Sequence, residues 1–409
     1  MDCVIAGGGP AGAMLALLLA RSGVEVTLLE KHADFLRDFR GDTIHPSTLQ
    51  VLDELGLARK FLKLPHRKSY GLSMVTDRGV VPIASLRGLK GKYDFIAFVP
   101  QWDFLDLLTG AAARYPNFHL LMNSEACGLI REDGVVRGLR YRDASGEHEL
   151  RARLTVAADG RGSTLRAAAG LVPKEFGAPM DVLWFRLPRV EGDPVAAFLR
   201  VSQRHLMVAL DRGDYWQLAY AIPKGGYDLL RAGGIDALRE PVSRLLPFLG
   251  ERVALLRGYD DVSMLTVVQN RLRRWHLPGL LFIGDAAHAM SPVFGVGINL
   301  AVQDAVAAAN LLTGPLLSGA PVPESALRLV QKRRMLPTWL TQLAQRVAQD
   351  RLIVPALSGR LRTPGHTRDL TRLPLPRALA RRFIGLGVRP EHVRTMPGVG
   401  VRTEVEYPR

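Results

Sequence analysis

Near the start of the chain, Val4-Ile5-Ala6-Gly7-Gly8-Gly9-Pro10-Ala11-Gly12 joins a short apolar run to spaced glycines, and Glu30 closes a second apolar run over 24–29. Residues of these types at this spacing can bind phosphates and a ribose. Gly7 would make a tight turn, Gly9 would let the backbone approach a pyrophosphate, and Gly12 would let a helix pack closely on a strand. A helix over 11–21, entered through Pro10 and Ala11, would offer its first N–H groups and positive dipole end to the phosphates. A carboxylate at Glu30, with Lys31 after it, can accept both hydroxyls of an adenosine ribose. It would repel a 2′-phosphate, so the site suits FAD or NAD rather than NADP.

A second constellation follows late in the chain. The run Leu280-Leu281-Phe282-Ile283 leads into Gly284-Asp285-Ala286-Ala287-His288, and Pro292, Gly295, Gly297, Ile298 and Asn299 precede a helical run over 300–312. An acid at a strand end can bond the ribityl hydroxyls of a flavin. Glycines ahead of a helix let N–H groups face the N1/O2 edge of an isoalloxazine, where negative charge gathers on reduction. Between the two lies Thr155-Val156-Ala157-Ala158-Asp159-Gly160-Arg161-Gly162-Ser163, with Arg166 just beyond.

The three blocks, in this order and spacing, resemble the FAD-dependent aromatic hydroxylase family, the single-component monooxygenases related to p-hydroxybenzoate hydroxylase. The resemblance covers about 1–345. It implies that Gly7, Gly9, Gly12 and Glu30 hold the ADP half of FAD, and that Asp159-Gly160 serves both FAD and NAD(P)H. Gly284-Asp285 with Pro292, Gly295 and Gly297 would hold the ribityl chain and ring. By placement, Arg40 would lie near the pyrophosphate and the incoming nicotinamide nucleotide, and Gln101 against the ribityl chain. Cys127, with Gly128, would touch adenine through its backbone. Many members carry Arg-x-x-Leu where this chain has Gln101-Trp102-Asp103-Phe104.

The implied chemistry is oxygen insertion. NADH or NADPH reduces the flavin and leaves, since only one adenosine-binding triplet is present. Reduced flavin meets O2 at C4a, and the hydroperoxide delivers one oxygen atom to an aromatic or lipophilic small molecule. Phenolic substrates commonly need a base; His45 and His288 are the candidates by position, each against the plainer reading of a structural hydrogen bond. Three alternatives keep the same FAD fold. A reductase or oxidase of an isoprenoid- or quinone-like substrate would need no oxygen transfer. A halogenase would need a Trp-x-Trp-x-Ile-Pro signature, which the sequence lacks. A basic RNA-binding flavoprotein would use the positive charge.

That charge is a formal +15 at pH 7, and it comes mainly from arginine: nine of the 54 basic residues are lysine. Eleven arginines against four acids fall in 360–409, without the interleaved aromatics that stack bases, so no nucleic-acid partner is expected. Neither a membrane span of about eighteen uninterrupted apolar residues nor a clustered set of metal ligands is present. Cys3 and Cys127 sit in strand-like contexts, which suits a reduced, cytoplasmic setting without disulfides.

These residues need elements to hold them. The fold expected is α/β: a Rossmann-like FAD-binding domain from 1–75, 97–175 and 268–345, a β-sheet substrate domain from 76–96 and 176–267, and a helical, basic C-terminal segment over 346–409. A small meander is expected over 118–141 beside the main sheet. The strand-like runs at 182–187, 205–210 and 215–222, the last two joined by Asp211-Arg212-Gly213-Asp214 as a hairpin turn, would form a roof over the flavin. Its pocket lining would come from Leu183, Phe185, Met207 and Trp216, or from the alternate face. A long helical region over 325–358 should break at Pro337 and Pro355, and the tail beyond should serve packing or a homodimer contact.

Overall fold

Short apolar runs without alternation specify strands buried on both faces. In the computed structural model, which describes residues 1–36, 43–194, 197–202, 204–360 and 377–398, Cys3–Ala6, Val26–Leu29 and Leu154–Ala157 are buried at every position. They lie in a six-stranded sheet of order His276–Leu277, Leu280–Phe282, Leu154–Ala157, Cys3–Ala6, Val26–Leu29, Phe118–Leu121. Every pair is parallel except the first. The helices Pro10–Arg21 and Gly297–Leu317 pack on each other and share one core with Ile5, Leu28 and Val156.

Among the described residues, Val293–Leu317 alone has the length and hydropathy of a membrane-crossing helix, and 67% of its apolar window is buried inside the protein. A helix that is apolar nearly all round belongs in a core.

Phe118–Leu121 does not join the meander expected at 118–141. It pairs in parallel with Val26–Leu29 as the edge of the main sheet, and the preceding Asn117 side-chain amide ties it there by donating to the carbonyls of Ala20 and Val24. The separate antiparallel sheet is Glu125–Glu132, Val135–Asp143 and Gly146–Arg151.

A seven-stranded sheet forms the second layer, ordered Ser263–Leu265, Met180–Pro188, Tyr215–Pro223, His205–Asp211, Phe198–Ser202, Gly71–Thr76, Gly79–Ser85. Gly71–Thr76 pairs with Gly79–Ser85 and Phe198–Ser202, so a boundary at 75 cuts a hairpin. The period-two alternation gives this sheet two apolar faces. Leu183, Phe185, Met207 and Trp216, all at 0% exposure, lie on the face packed against Leu238, Val242, Leu245 and Leu249 of the outer helical layer. Those four side chains are therefore core, not pocket lining. The opposite face carries Met180, Val182, Leu206, Ala219 and Ala221, with Trp184, Val208 and Val293 packed on it.

The helix Glu324–Ala348 runs on through Pro337. A proline removes one rung of the ladder at a cost of about 3 kcal/mol in an isolated helix. Here Arg334, Thr338, Thr341, Gln342 and Gln345 around it are all buried, and this packing overrides the break. Beyond Val354–Leu357 and Arg377–Leu386 the chain returns to the first domain: Gly398 N–H donates to Arg21 O at 2.9 Å, and Arg21 Nη1 to Thr395 O at 2.9 Å.

Candidate active site

Strand register brings the three motifs to one edge. Ala6 pairs with Ala157 and Leu29, and Ala157 with Phe282, so Gly7, Glu30, Ala158 and Ile283 leave the carboxyl ends of four adjacent parallel strands. Open α/β sheets bind ligands at that edge.

The glycines divide their work as their surroundings dictate. Gly7 has φ +103°, and a Cβ there would lie 2.4 Å from Ala158 O; one at Gly12 would lie 2.0 Å from Gly7 O. A Cβ at Gly9 or Gly297 would meet nothing within 4 Å. Thus Gly7 and Gly12 close the turn, whereas Gly9 and Gly297 leave open approaches. Both helices that start there, Pro10–Arg21 and Gly297–Leu317, lack a side-chain N-cap hydrogen bond. Their first N–H groups suit a pyrophosphate and the electron-rich edge of a flavin ring. FAD fits these residues.

Glu30, 2% exposed, accepts from Gly8 N–H at 3.0 Å through Oε2, and from His32 N–H at 3.1 Å through Oε1. Ser124 N–H donates to Glu30 O at 2.8 Å, which sets the strand carrying half-buried Cys127 beside the ribose end; Lys31 is exposed. Asp159 is turned into its own loop, accepting from Ser163 Oγ at 2.5 Å and from Leu165 N–H at 3.0 Å. Burial nevertheless raises its pKa above the usual carboxylate value. Arg166 spans two of the motifs, donating to Arg161 O at 2.6 Å and to Ala286 O at 2.9 Å. Arg40 lies outside the described residues.

The loop from Asp285 to Asn299 is sewn down from several sides. Thr43 Oγ1 donates to Gly295 O at 2.6 Å, and Asn299 Oδ1 accepts from His45 N–H at 3.1 Å and Thr48 Oγ1 at 2.6 Å. Pro292 and Ile298 flank that anchor, and Phe294 sits at φ +70° with its ring 6.3 Å from that of Phe383. Three buried amides on one helix face do most of the work. Gln342 Nε2 donates to Asn270 O (2.8 Å) and Ala289 O (3.1 Å), Gln345 Nε2 to Ser291 O (2.8 Å) and Val293 O (2.9 Å), and Gln349 Nε2 to Ser291 Oγ (2.8 Å). Sequence reasoning missed them; glutamines spaced at three and four residues were the available signal.

Both candidate histidines are buried and hydrogen-bonded within the protein. His288, 1% exposed, gives Nε2 to Asp304 Oδ2 at 2.6 Å and lies 4.8 Å from the Trp275 ring. His45 Nδ1 is 2.7 Å from Ile384 O. Burial lowers its pKa to about 4, against the opposing pull of the Ile384 and Gly295 carbonyls, so it is neutral at physiological pH. Each makes a structural hydrogen bond through one ring nitrogen, while His45 Nε2 and His288 Nδ1 are buried without a hydrogen-bond partner.

Over this loop the roof sheet presents its second face. Trp184 is on it, and its indole Nε1–H is buried without a hydrogen-bond partner. Arg186 follows two residues on, its guanidinium 6.0 Å from the Trp102 ring. Half-buried Gln101 opens the helix Gln101–Ala112 next to Trp102, at the seam between the two sheets. A separate cleft of about 830 Å³, lined by Arg274, His276, Glu324, Arg328, Met335 and Trp339 among others, contains none of the predicted residues.

Comparison with known proteins gives the family and the fold. The family described as FAD binding domain matches residues 1–341. The 6-methylpretetramide 4-monooxygenase of Streptomyces rimosus is 34% identical over 93% of this chain and 91% of its own length. Digeranylgeranylglycerophospholipid reductase 1 of Methanopyrus kandleri is 27% identical over 74% of this chain and 77% of its own. In fold, P. aeruginosa PqsL solved with 2-aminobenzoylacetate superposes with TM-score 0.75 at 22% identity, over 88% of this chain and 97% of that one.

Proposed function

This chain belongs to the FAD-binding family of aromatic monooxygenases, and from that premise we propose that it adds one oxygen atom from O2 to a flat, fused-ring phenolic polyketide. The reading is carried by the convergence of Gly7, Glu30, Gly284 and the uncapped Gly297–Leu317 helix on one sheet edge under an apolar roof. Likeness to a relative named for 6-methylpretetramide supports the substrate class. FAD is the cofactor and NAD(P)H the co-substrate of the family; once bound by these residues, FAD would supply the redox chemistry between NAD(P)H and O2.

The chain's own part is placement. Gly9 and the first turn of Pro10–Arg21 would receive the pyrophosphate, Glu30 the ribose and Asp285 the ribityl chain. The N–H groups of Gly297, Ile298 and Asn299 would stabilise charge on the ring edge. Val182, Trp184 and Val208 would exclude water above it, and the unpartnered Trp184 indole N–H would donate to a substrate oxygen. With both cysteines free among the described residues, we read the working setting as cytoplasmic. A homodimer, testable by sedimentation, is the assembly we propose.

The test is the flavin spectrum of the purified protein, taken without air in NADH or NADPH and then with air and a hydroxylated tetracyclic aromatic. Bleaching by nicotinamide, faster with the aromatic, followed by reoxidation coupled to a hydroxylated product, is the expected result. Reduction that instead saturates an isoprenoid double bond without O2 would favour the reductase reading, which the likeness to a digeranylgeranylglycerophospholipid reductase motivates.

A further inference from the structure

A chain of buried charges links the C-terminal segment to the flavin-side turn. Asp304, 0% exposed, accepts from Gly284 N–H at 3.1 Å and from His288 Nε2 at 2.6 Å through Oδ2. Its Oδ1 accepts from Arg334 Nε at 3.0 Å. Arg334, 1% exposed, also reaches Glu391 Oε1 and Arg389 O, each at 3.4 Å, through Nη1. Glu391 in turn holds Arg333 by Nε at 2.7 Å and Nη2 at 3.0 Å, and its own N–H donates to Gln303 Oε1, next to Asp304. Burial alone would raise the Asp304 pKa; His288 and Arg334 outweigh it and keep the carboxyl below its usual value, hence ionised.

We propose that Glu391 is a positioning residue for the flavin site, acting through Arg334 and Asp304 to fix the Gly284–Asp285 turn. Arg334 serves two carboxylates. With the Glu391 side chain in place, the guanidinium is held at its far end and its Nε stays on Asp304 Oδ1, leaving Oδ2 to hold the Gly284 amide. Gly284 lies against the phosphate-side helix, where a Cβ would sit 3.0 Å from the Ala11 Cβ, so a shift of its amide would be felt at both halves of the FAD site. Neutralising Glu391 removes the second carboxylate from buried Arg334, and a rearranged Arg334 pulls Asp304 from the turn. The inference rests on the family's FAD site and is independent of which substrate is oxidised.

The experiment compares the full-length protein with Glu391→Gln and with Arg333→Gln, whose side chain is 30% exposed and touches Glu391 but not Asp304. FAD affinity is read by fluorescence titration, the bound flavin by visible circular dichroism, and the FAD-free fold by thermal melting. Glu391→Gln should weaken FAD about five- to tenfold, low in the range for coupled sites, and change the visible dichroism. Arg333→Gln should do the same to a smaller degree, with melting of the FAD-free protein nearly unchanged. FAD affinity and dichroism equal to the parent in both variants would overturn the proposal. So would a loss of affinity that only tracks a fall in melting temperature.

Discussion

At the scale of single residues, the glycines make separable claims. A Cβ at Gly12 would sit 2.0 Å from a backbone oxygen, whereas one at Gly9 would meet nothing within 4 Å. Gly12→Ala should therefore destabilise the FAD-free protein by about 1–3 kcal/mol, the usual cost of overpacking. Gly9→Ala should leave melting unchanged yet weaken FAD; equal melting losses in the two variants would refute the division of roles. His45 makes a pH-dependent claim. Its folded pKa of about 4 lies below the ordinary 6.5, so the unfolded chain binds the extra proton between these values. Stability should be flat above pH 6.5 and fall as pH drops toward 4, and His45→Gln, followed by denaturant melts across that range, should reduce this fall. The glycine loop was legible because its strand, turn and helix are contiguous in sequence; the close approach of Gly7 to Ala158 was not. Nor was His288: it lies in a loop and its partner Asp304 on the helix Gly297–Leu317, and no local spacing announces the pairing.

Among elements, the helix Glu324–Ala348 shows what sequence patterning could and could not reveal. Pro337 suggests a break, but the helix holds because its buried face is bonded along its length to the loop beneath. Gln345→Leu would strip partners from Ser291 O and Val293 O, at about 1–3 kcal/mol for each carbonyl left buried and unsatisfied. Thermal melting should register that loss, and FAD affinity should fall with it because those carbonyls shape the flavin loop. The roof sheet has a related lesson. Alternation identifies two faces but not which one turns inward. The choice was made by the helices over 227–255, which cover Leu183, Phe185, Met207 and Trp216, and so Trp184 is left on the opposite face, with Val293 of the loop packed there. Trp184→Phe keeps the ring and removes the donor; it should raise the KM for the aromatic substrate several-fold while leaving the anaerobic rate of flavin reduction by NAD(P)H unaltered.

Across the whole molecule, four parallel strands gather the motifs, an antiparallel sheet roofs them, and the C-terminal segment returns to brace the turn between. The two-layer architecture and the order of the motifs could be read from the sequence, since each motif follows an apolar strand. The return of the tail could not, because Arg334 and Glu391 show no shared period and meet only through the tertiary fold. We propose that this assembly places one atom of O2 on an aromatic ring. Turnover under O2 labelled with heavy oxygen, with NAD(P)H and a hydroxylated tetracyclic aromatic, followed by mass spectrometry of the product, tests it most directly. One labelled oxygen atom per product molecule, and none from labelled water, is the expected result. A product reduced without oxygen, or an oxygen atom drawn from water, would contradict it.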